Sequence, residues 1–220
     1  MTKAKKGVRR RTALTKDRVL SAAVKLADSE GIESLSMRKL ASRLRVEAMS
    51  LYNHVANKDE ILDGIVDKIV SEIEVPTVGG DWRVEMHRRS TSAHEVLMRH
   101  QWATMLIVSR VNVGPAMLHF VDSTIGCLVE AGFSYAAADH AWNAIDSYVY
   151  GFTLQKLNFP FAPEEYAEVA KAYLPQIPEE QYPYLHGMSQ EVIAGRHDGL
   201  HDLEFGLKLI LDGLEELRGS

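Results

Sequence analysis

The segment from Ser36 to Lys58 constrains the fold of this chain most, because it is patterned as two short helices joined by a tight turn. Apolar residues recur at helical spacing before and after a turn at Val46 and Glu47. These positions are Met37, Leu40, Ala41 and Leu44 in the first helix and Met49, Leu51 and Tyr52 in the second. With basic residues around it, this pattern predicts a helix-turn-helix whose second helix enters the DNA major groove.

The charge distribution separates a basic head from an acidic body. Residues 1–60 carry 14 basic and 7 acidic side chains, whereas residues 61–220 carry 11 basic and 23 acidic ones. The net charge of -5 hides this contrast. An acidic chain with a basic head is typical of a nucleic-acid-binding protein with a separate control domain. Six Lys or Arg residues within positions 1–11 indicate a flexible basic arm, which either contacts DNA or is only a solvated tail.

The spacing of apolar residues and caps predicts helices along the whole chain and no strands. Thr15, Ser36 and Asn57 suit N-caps, and Gly31 suits a helix stop. A break at 75–80 separates the head and its long following helix from the rest, and residues 158–187, with five of the seven prolines, predict a loop with one short helix. The predicted helices span about 16–29, 36–43, 48–55, 58–74, 82–98, 102–109, 115–131, 135–157, 164–173 and 198–218.

Two of these helices are suited to dimerisation. The helix at about 198–218 carries a leucine-rich stripe, and the helix at about 135–157 is rich in small and apolar residues. Either surface could be buried within one chain. We favour a homodimer through both helices, because two heads can then contact two half-sites about 34–36 Å apart.

Composition excludes several other classes of protein. The single cysteine, Cys127, allows no internal disulfide and lies in an apolar helical stretch, so we expect it to be a packing residue. No run of about 18 apolar residues predicts a membrane span, and the basic N-terminus lacks the apolar region of a signal peptide. His197 and His201 are four residues apart but have no third ligand in register. We therefore expect a cytoplasmic, soluble protein without metal or cofactor and without enzyme activity.

The segment Arg38 to Asp63, RKLASRLRVEAMSLYNHVANKDEILD, resembles the DNA-binding domain of TetR-family repressors, especially their tetracycline repressor branch. The end of the chain, EFGLKLILDGLEEL from Glu204 to Leu217, is similar to the final dimerisation helix of that branch. The resemblance implies an all-α homodimer that binds a palindromic operator and releases it when a small molecule enters the body. It also implies eight DNA-contacting residues: Arg38, Ala48, Met49, Ser50, Tyr52, Asn53, His54 and Lys58.

The resemblance also allows the effector pocket to be compared position by position. The positions that bind magnesium and tetracycline in the tetracycline repressor correspond here to Glu74, Arg89, Ile107, Asn112, Thr124, Ser147 and Gln155. Ile107 and Gln155 lack the histidine and acidic chemistry of that site, so magnesium-tetracycline is not the expected effector. Aromatic and apolar residues predict a largely apolar or aromatic ligand. The predicted effector-binding residues are Trp102, Met105, Asn112, Val121, Thr124, Trp142, Ser147, Tyr150 and Gln155, with Phe152 nearby in sequence.

The resulting prediction is an all-α protein with a three-helix helix-turn-helix head and a larger helical body. Its parts are a flexible basic arm at 1–14, a DNA-binding domain at 15–60, and a ligand-binding and dimerisation domain at 61–220. The predicted function is a ligand-responsive transcriptional repressor. The alternatives are a DNA-binding protein without small-molecule control and a helical enzyme or ligand carrier. The second alternative requires polar catalytic clusters in the body, and the sequence indicates none.

Overall fold

The structure, a computed structural model, describes residues 13–162, 165–197 and 202–218. Over these residues it contains eleven α-helices, two short 3-10 turns and no strand, which confirms the all-α class. None of the described helices has both the length and the apolar composition needed to cross a membrane. The helices are α1 Lys16–Glu30, α2 Met37–Leu44, α3 Ala48–Leu51, α4 Lys58–Val70, α5 Trp82–Arg99, α6 Ala103–Ser109, α7 Pro115–Glu130, α8 Tyr135–Asn158, α9 Tyr166–Tyr173, α10 Pro183–Ile193 and α11 Leu203–Glu215.

The chain divides into two compact units. The first unit comprises Met1–Glu74 and Arg99–Asp122, and the second comprises Val75–Met98 and Ser123–Ser220. Helices α5 and α7 contribute residues to both units. This division reflects which residues pack together, not which residues bind DNA or ligand. The boundary at residue 60 between the DNA-binding domain and the body therefore stays a prediction.

The first unit forms around α1 and α4, with α2 and α3 packed beside them. The predicted caps of α1 are confirmed: the Thr15 hydroxyl accepts from the Arg18 N–H at 3.2 Å, and the Gly31 N–H donates to the Ala27 carbonyl at 2.9 Å. Gly31 has a φ of 78°, a conformation that glycine adopts without strain. The fully buried side chains of this unit include Leu26, Leu35, Leu40, Leu51, Ile61, Ile65 and Ile69.

The second unit packs α8 against α11 and α9 against α10. The ring of Trp82, at the start of α5, lies edge-on to Phe133 at 5.0 Å between centroids. Gly206 allows α11 to approach α8 closely, because a Cβ at that position would collide with the ring of Tyr148. The Tyr148 hydroxyl donates to the Leu203 carbonyl at 3.1 Å, which fixes this contact.

Three helix boundaries differ from the predictions. The helix predicted at 58–74 ends at Val70, and the helix predicted at 48–55 is the single turn α3. Helix α10 begins at Pro183, inside the predicted 158–187 loop, and continues to Ile193 through residues for which no helix was predicted. Pro183 occupies the first helical turn of α10, where the missing N–H costs no hydrogen bond, so this proline starts the helix. Of the predicted 198–218 helix, positions 198–201 and 219–220 lie outside the described residues, as does most of the predicted basic arm.

Candidate DNA-binding and effector sites

The turn between α2 and α3 is built by caps at both ends of α2. The Ser36 hydroxyl accepts from the Lys39 N–H at 3.2 Å, as predicted for an N-cap. At the other end Arg45 adopts the left-handed conformation, with φ 57° and ψ 47°, and donates its N–H to the Ser42 carbonyl. The Val46 N–H then donates to the Ala41 carbonyl at 3.0 Å. Arg45 therefore makes the sharp reversal that a helix-turn-helix requires.

Helix α3 and the turns after it present most of the predicted DNA-contacting side chains. Leu51 and Val55 are buried and attach this segment to the core of the first unit, as their spacing predicts. Met49 is 75% exposed and Tyr52 is 46% exposed. Of the other predicted contacts, Arg38, Asn53 and Lys58 are exposed, whereas Ala48, Ser50 and His54 are half-buried.

The cationic side chains near this surface fall into two groups. Lys39 and Arg43 of α2 both form ion pairs with Glu30, and Lys68 of α4 pairs with Asp17. Within the part of the chain that the structure describes, the side chains of Arg38 and Lys58 form no hydrogen bond or ion pair. The same holds for the polar groups of Ser50, Tyr52, Asn53 and His54. The predicted contact residues are thus available for an external partner, and phosphate oxygens and base edges are such partners.

The start of α4 is fixed by a reciprocal cap. The Asn57 side chain accepts from the Glu60 N–H at 2.8 Å, and the Glu60 carboxylate accepts from the Ala56 N–H at 2.5 Å. Glu60 also pairs with Lys16 of α1. The hydrogen bonds from the Ala56 N–H and from Lys16 lower the pKa of the Glu60 carboxyl. Lys58, one residue inside the helix, is thereby held at the surface next to α3.

Four of the predicted effector-binding residues lie in the first unit. Trp102 donates its indole N–H to the Asp28 carboxylate of α1 at 2.7 Å, and Met105 is 56% exposed. Asn112 donates to the Asp63 carbonyl of α4 at 3.0 Å and accepts from the Gly114 N–H at 2.7 Å. Val121 is half-buried on α7. Trp102 and Asn112 therefore contact the helices of the head directly, which the sequence did not indicate.

The segment around Asn112 forms a set of bonds with one face of α4. Arg110 donates to the Asp63 carboxylate at 2.7 Å and lies 3.4 Å from Asp59. These carboxylates raise the pKa of the Arg110 guanidinium. The Met117 N–H, at the start of α7, donates to the Asp67 carboxylate at 2.9 Å. Because Asp59, Asp63 and Asp67 are four residues apart, they share one face of α4.

In the second unit, the predicted residues Trp142 and Tyr150 meet at Asp146. The Trp142 indole N–H and the Tyr150 hydroxyl donate to one Asp146 oxygen, at 2.7 and 3.2 Å. The buried Arg89 donates to the other oxygen at 2.5 Å. Burial raises the pKa of the Tyr150 hydroxyl, and the Asp146 charge adds to this effect. Asp146 was not among the residues predicted from sequence, although an acidic residue four positions from both aromatic residues in an apolar helix was a usable signal.

The other predicted effector residues of the second unit are dispersed. Thr124 is fully buried on α7, whereas Ser147 and Gln155 are exposed on α8. Ile107, the position of the metal-linked histidine in the resembling family, is buried within the first unit. Among the described residues, no hydrogen bond joins Ser147 or Gln155 to the cluster of Trp142, Tyr150 and Asp146.

The described residues contain no group of three or more His, Cys, Asp or Glu side chains placed to hold a metal ion. Cys127 is buried, and burial raises the pKa of its thiol to about 11. The thiol is therefore protonated near neutral pH, consistent with a packing residue. His201, half of the histidine pair considered from sequence, lies outside the described residues.

Two family models match the chain over nearly its whole length. The model for bacterial regulatory proteins of the tetR family matches residues 19–65, which include the helix-turn-helix. The model for the tetracyclin repressor-like C-terminal domain matches residues 75–218. The second match begins at residue 75, where the predicted break at 75–80 also begins.

Similar proteins of known identity agree with these matches. An HTH-type transcriptional regulator of Saccharopolyspora erythraea is 36% identical over 180 residues, which cover 81% of this chain and 76% of that protein. The HTH-type transcriptional repressor DrrR1 of Streptomyces coeruleorubidus is 32% identical, covering 93% of this chain and 78% of that protein. The structure of ActR from Streptomyces coelicolor in complex with actinorhodin superposes with a TM-score of 0.79 at 29% identity, covering 95% of this chain and all of that one. The chain therefore belongs to the TetR family of bacterial transcriptional regulators.

Proposed function

We propose that this regulator is a repressor that binds a palindromic operator as a homodimer and releases it when a small, largely apolar or aromatic effector binds. In this proposal residues 15–60 bind DNA, and residues 61–220 bind the effector and form the dimer. The family consists of transcriptional regulators, so the enzyme alternative is set aside.

One observation carries the DNA-binding part of the proposal. Arg38 and Lys58 are exposed cations without an intramolecular partner among the described residues, and exposed Met49 and Tyr52 lie between them in sequence. Neighbouring cations on α2 and α4 are neutralised by Glu30 and Asp17. Arginine suits bidentate binding of guanine in the major groove, lysine suits phosphate, and an apolar tip suits the thymine methyl group.

The exposed apolar residues of α8 and α11 support the proposed dimer. Helix α11 buries Leu203, Leu207, Leu211 and Leu214 within the chain. Phe205 and Leu209, on the other side of the same helix, are 71% and 59% exposed, and Tyr135 at the start of α8 is 76% exposed. We assign these outward side chains, rather than the buried leucine stripe, to contact with a second copy.

The proposed effector site uses the predicted residues Trp142 and Tyr150 of the second unit, with Asp146 and Arg89 added. Aromatic side chains predominate, and the Asp146 cluster provides a polar end. ActR, which is similar over nearly the whole chain, has been solved with actinorhodin bound. Buried Ile107 and exposed Gln155 supply neither the imidazole nor the carboxylate of a magnesium-tetracycline site.

The bonds between the 110–117 segment and α4 supply a means of control. Arg110, Asn112 and the Met117 N–H together hold Asp63 and Asp67 of α4. A ligand that shifts α6 or the start of α7 shifts these partners as well, and α4 carries the cap next to the DNA-contacting turn. In this proposal the effector acts by favouring the position of α4 in which the heads do not fit the operator.

The test is a mobility-shift assay with DNA from upstream of the protein's own gene, over a salt series. We expect sequence-selective binding by the wild type. Arg38→Ala and Tyr52→Ala each weaken it about tenfold or more, because base and phosphate contacts are lost. Lys25→Ala, an exposed lysine of α1 outside the helix-turn-helix, is the matched control and retains binding.

The same complex tests the effector part of the proposal. Aromatic small molecules added to it identify those that release DNA, and magnesium with tetracycline is expected to leave the complex intact. Release by magnesium-tetracycline would contradict the proposed effector class. Sequence-selective binding that no small molecule alters would favour the alternative of a DNA-binding protein without small-molecule control.

A further inference from the structure

His94, on α5 in the second unit, is a buried histidine whose tautomer is fixed by its neighbour. Its Nδ1 lies 2.8 Å from the Thr153 hydroxyl of α8, and its side chain is among the buried polar groups, at 8% exposure. The Thr153 hydroxyl donates its own hydrogen to the Val149 carbonyl at 2.7 Å. Thr153 can therefore only accept from His94, so the proton of the neutral ring is on Nδ1.

The other ring nitrogen of His94 is consequently an acceptor without a donor. Nε2 carries a lone pair, and no donor among the described residues bonds to it. Burial lowers the pKa of His94; nearby Lys156 lowers it further, and Glu95 acts in the opposite direction. The ring is therefore neutral near pH 7, and its Nε2 can accept a hydrogen bond from a donor outside the described chain.

A second unpartnered group lies one turn earlier on the same face of α5. The Thr91 hydroxyl oxygen is buried and has no hydrogen-bond partner among the described residues. This is unusual for the unit, because the Ser90 and Thr153 hydroxyls donate to the carbonyls four residues before them. Residues three apart on a helix are neighbours, so the side chains of Thr91 and His94 leave α5 on the same side.

The surroundings of His94 are aromatic. The Phe152 ring lies edge-on to His94, with centroids 5.5 Å apart, and the Tyr148 ring lies 5.8 Å from Phe152. The Tyr148 hydroxyl already donates to the Leu203 carbonyl, so it does not serve His94. A molecule that satisfies both polar groups must carry a hydrogen-bond donor, and an aromatic body suits the adjoining rings.

We propose that Thr91 and His94 form a polar subsite that binds the hydroxyl group of an aromatic ligand. The ligand hydroxyl donates to His94 Nε2, and its oxygen accepts from the Thr91 hydroxyl. This inference rests on the proposed function, because the ligand of the subsite is the effector. It narrows the effector class from aromatic molecules in general to phenol-like ones.

The experiment compares 2-naphthol with 2-methoxynaphthalene, which has a similar ring but cannot donate. Protein with ¹⁵N-labelled histidine is titrated with each probe and followed by NMR, without DNA. We expect 2-naphthol to bind about tenfold more tightly, the difference that one hydrogen bond supplies. We also expect the His94 Nε2 resonance to move with 2-naphthol and not with the methoxy compound.

Variants assign the preference to the two residues. Thr91→Val, which is nearly isosteric, and His94→Phe each abolish the preference for 2-naphthol. His87→Phe is the matched control, because His87 lies two turns earlier on α5 and bonds to Glu204 at the surface, and it retains the preference. The wild-type resonance shift is informative even where a variant does not fold.

Three results would overturn the subsite: no saturable binding of either probe, equal affinity for both, or a preference that persists in Thr91→Val and His94→Phe. Equal affinity for the two probes, or a preference that persists in both variants, means that only water forms hydrogen bonds with the Thr91 and His94 groups. Operator binding is measured separately. Failure of the subsite with intact operator binding leaves the repressor proposal standing, and loss of operator binding does not affect the titration.

Discussion

At the scale of single residues, the local structure of the head depends on a few side chains with specific backbone tasks. Thr15, Ser36 and Asn57 cap helices as their residue types predict, because a short oxygen-bearing side chain can bond the free N–H groups of the first turn. Arg45 has a different task. Among the described residues it is the one non-glycine residue with a positive φ, and it lies at the turn before α3. Its strained backbone was not apparent from sequence.

The strain at Arg45 leads to a prediction about stability. Arg45→Gly removes the Cβ and is expected to be more stable than Arg45→Ala by about 1 kcal/mol, because the left-handed conformation disfavours a Cβ. Both variants lose the guanidinium, so their difference isolates the backbone effect. Urea denaturation of the two variants measures it, and equal midpoints would show that the turn carries no such strain.

A second prediction at this scale concerns pH. The pKa of Glu60 is lowered in the folded state, so its carboxylate stabilises the fold above the unfolded pKa and this contribution disappears as pH falls through the folded value. Glu60→Gln keeps an oxygen for the Ala56 N–H but loses the charge. We expect the variant to be less stable than the wild type at pH 7. The difference begins to shrink as pH falls below about 4.3, the ordinary glutamate value, and vanishes below the lowered folded pKa. A difference in unfolding free energy that does not change with pH would contradict this cause.

At the scale of helices, sequence predicted most helices, and the exceptions have physical reasons. The period-3.6 pattern continues from Ala48 to Val55, but the chain leaves the α-helix after Leu51 and still buries Val55 through successive turns. Helix α10 was missed because proline was treated only as a breaker, although it is favourable in a first turn. The exposure of Met49 and Tyr52 and the burial of Leu51 and Val55 could be predicted because these residues lie in one continuous motif. The bond between Arg89 and Asp146 and the bonds between 110–117 and α4 could not, because they join distant segments.

The contact between Gly114 and Asp67 gives a prediction about an element. A Cβ at position 114 would collide with the Asp67 carboxylate, which accepts from the Met117 N–H. Gly114→Ala is therefore expected to lower the unfolding free energy by about 1–3 kcal/mol. Gly187→Ala is the matched control: nothing lies within 4 Å of the added Cβ and the site is inside α10, so stability rises slightly. Thermal unfolding of both variants is the measurement, and a Gly114→Ala variant as stable as the wild type would contradict the packing described.

At the scale of the whole molecule, function requires more than one chain in this account. A single head offers few base contacts, and two heads related by two-fold symmetry match a palindrome. The chain leaves Phe205 and Leu209 exposed on α11 while burying the leucine stripe of the same helix. The interface is thus assigned to a face that the sequence pattern did not single out.

Leu209→Glu tests this assignment. We expect it to shift the protein from dimer to monomer in sedimentation equilibrium, because a charge is placed in an apolar interface. Operator affinity falls with it, since one head is lost from each complex. Val111→Glu, at an exposed valine of the first unit, is the control and stays dimeric. A Leu209→Glu protein that remains dimeric would move the interface elsewhere.

The most direct test of the central claim, that the Arg38 to Lys58 surface recognises an operator, is an anisotropy titration of the operator and of a scrambled duplex of equal length. The wild type is expected to prefer the operator by at least about a thousandfold. Arg38→Ala is expected to reduce that ratio by tenfold or more. Lys58→Ala is expected to weaken binding to both duplexes alike, and to lower the slope of log affinity against log salt concentration by about one, the contribution of one phosphate contact. A ratio near one for the wild type, or one unchanged in Arg38→Ala, would contradict the account.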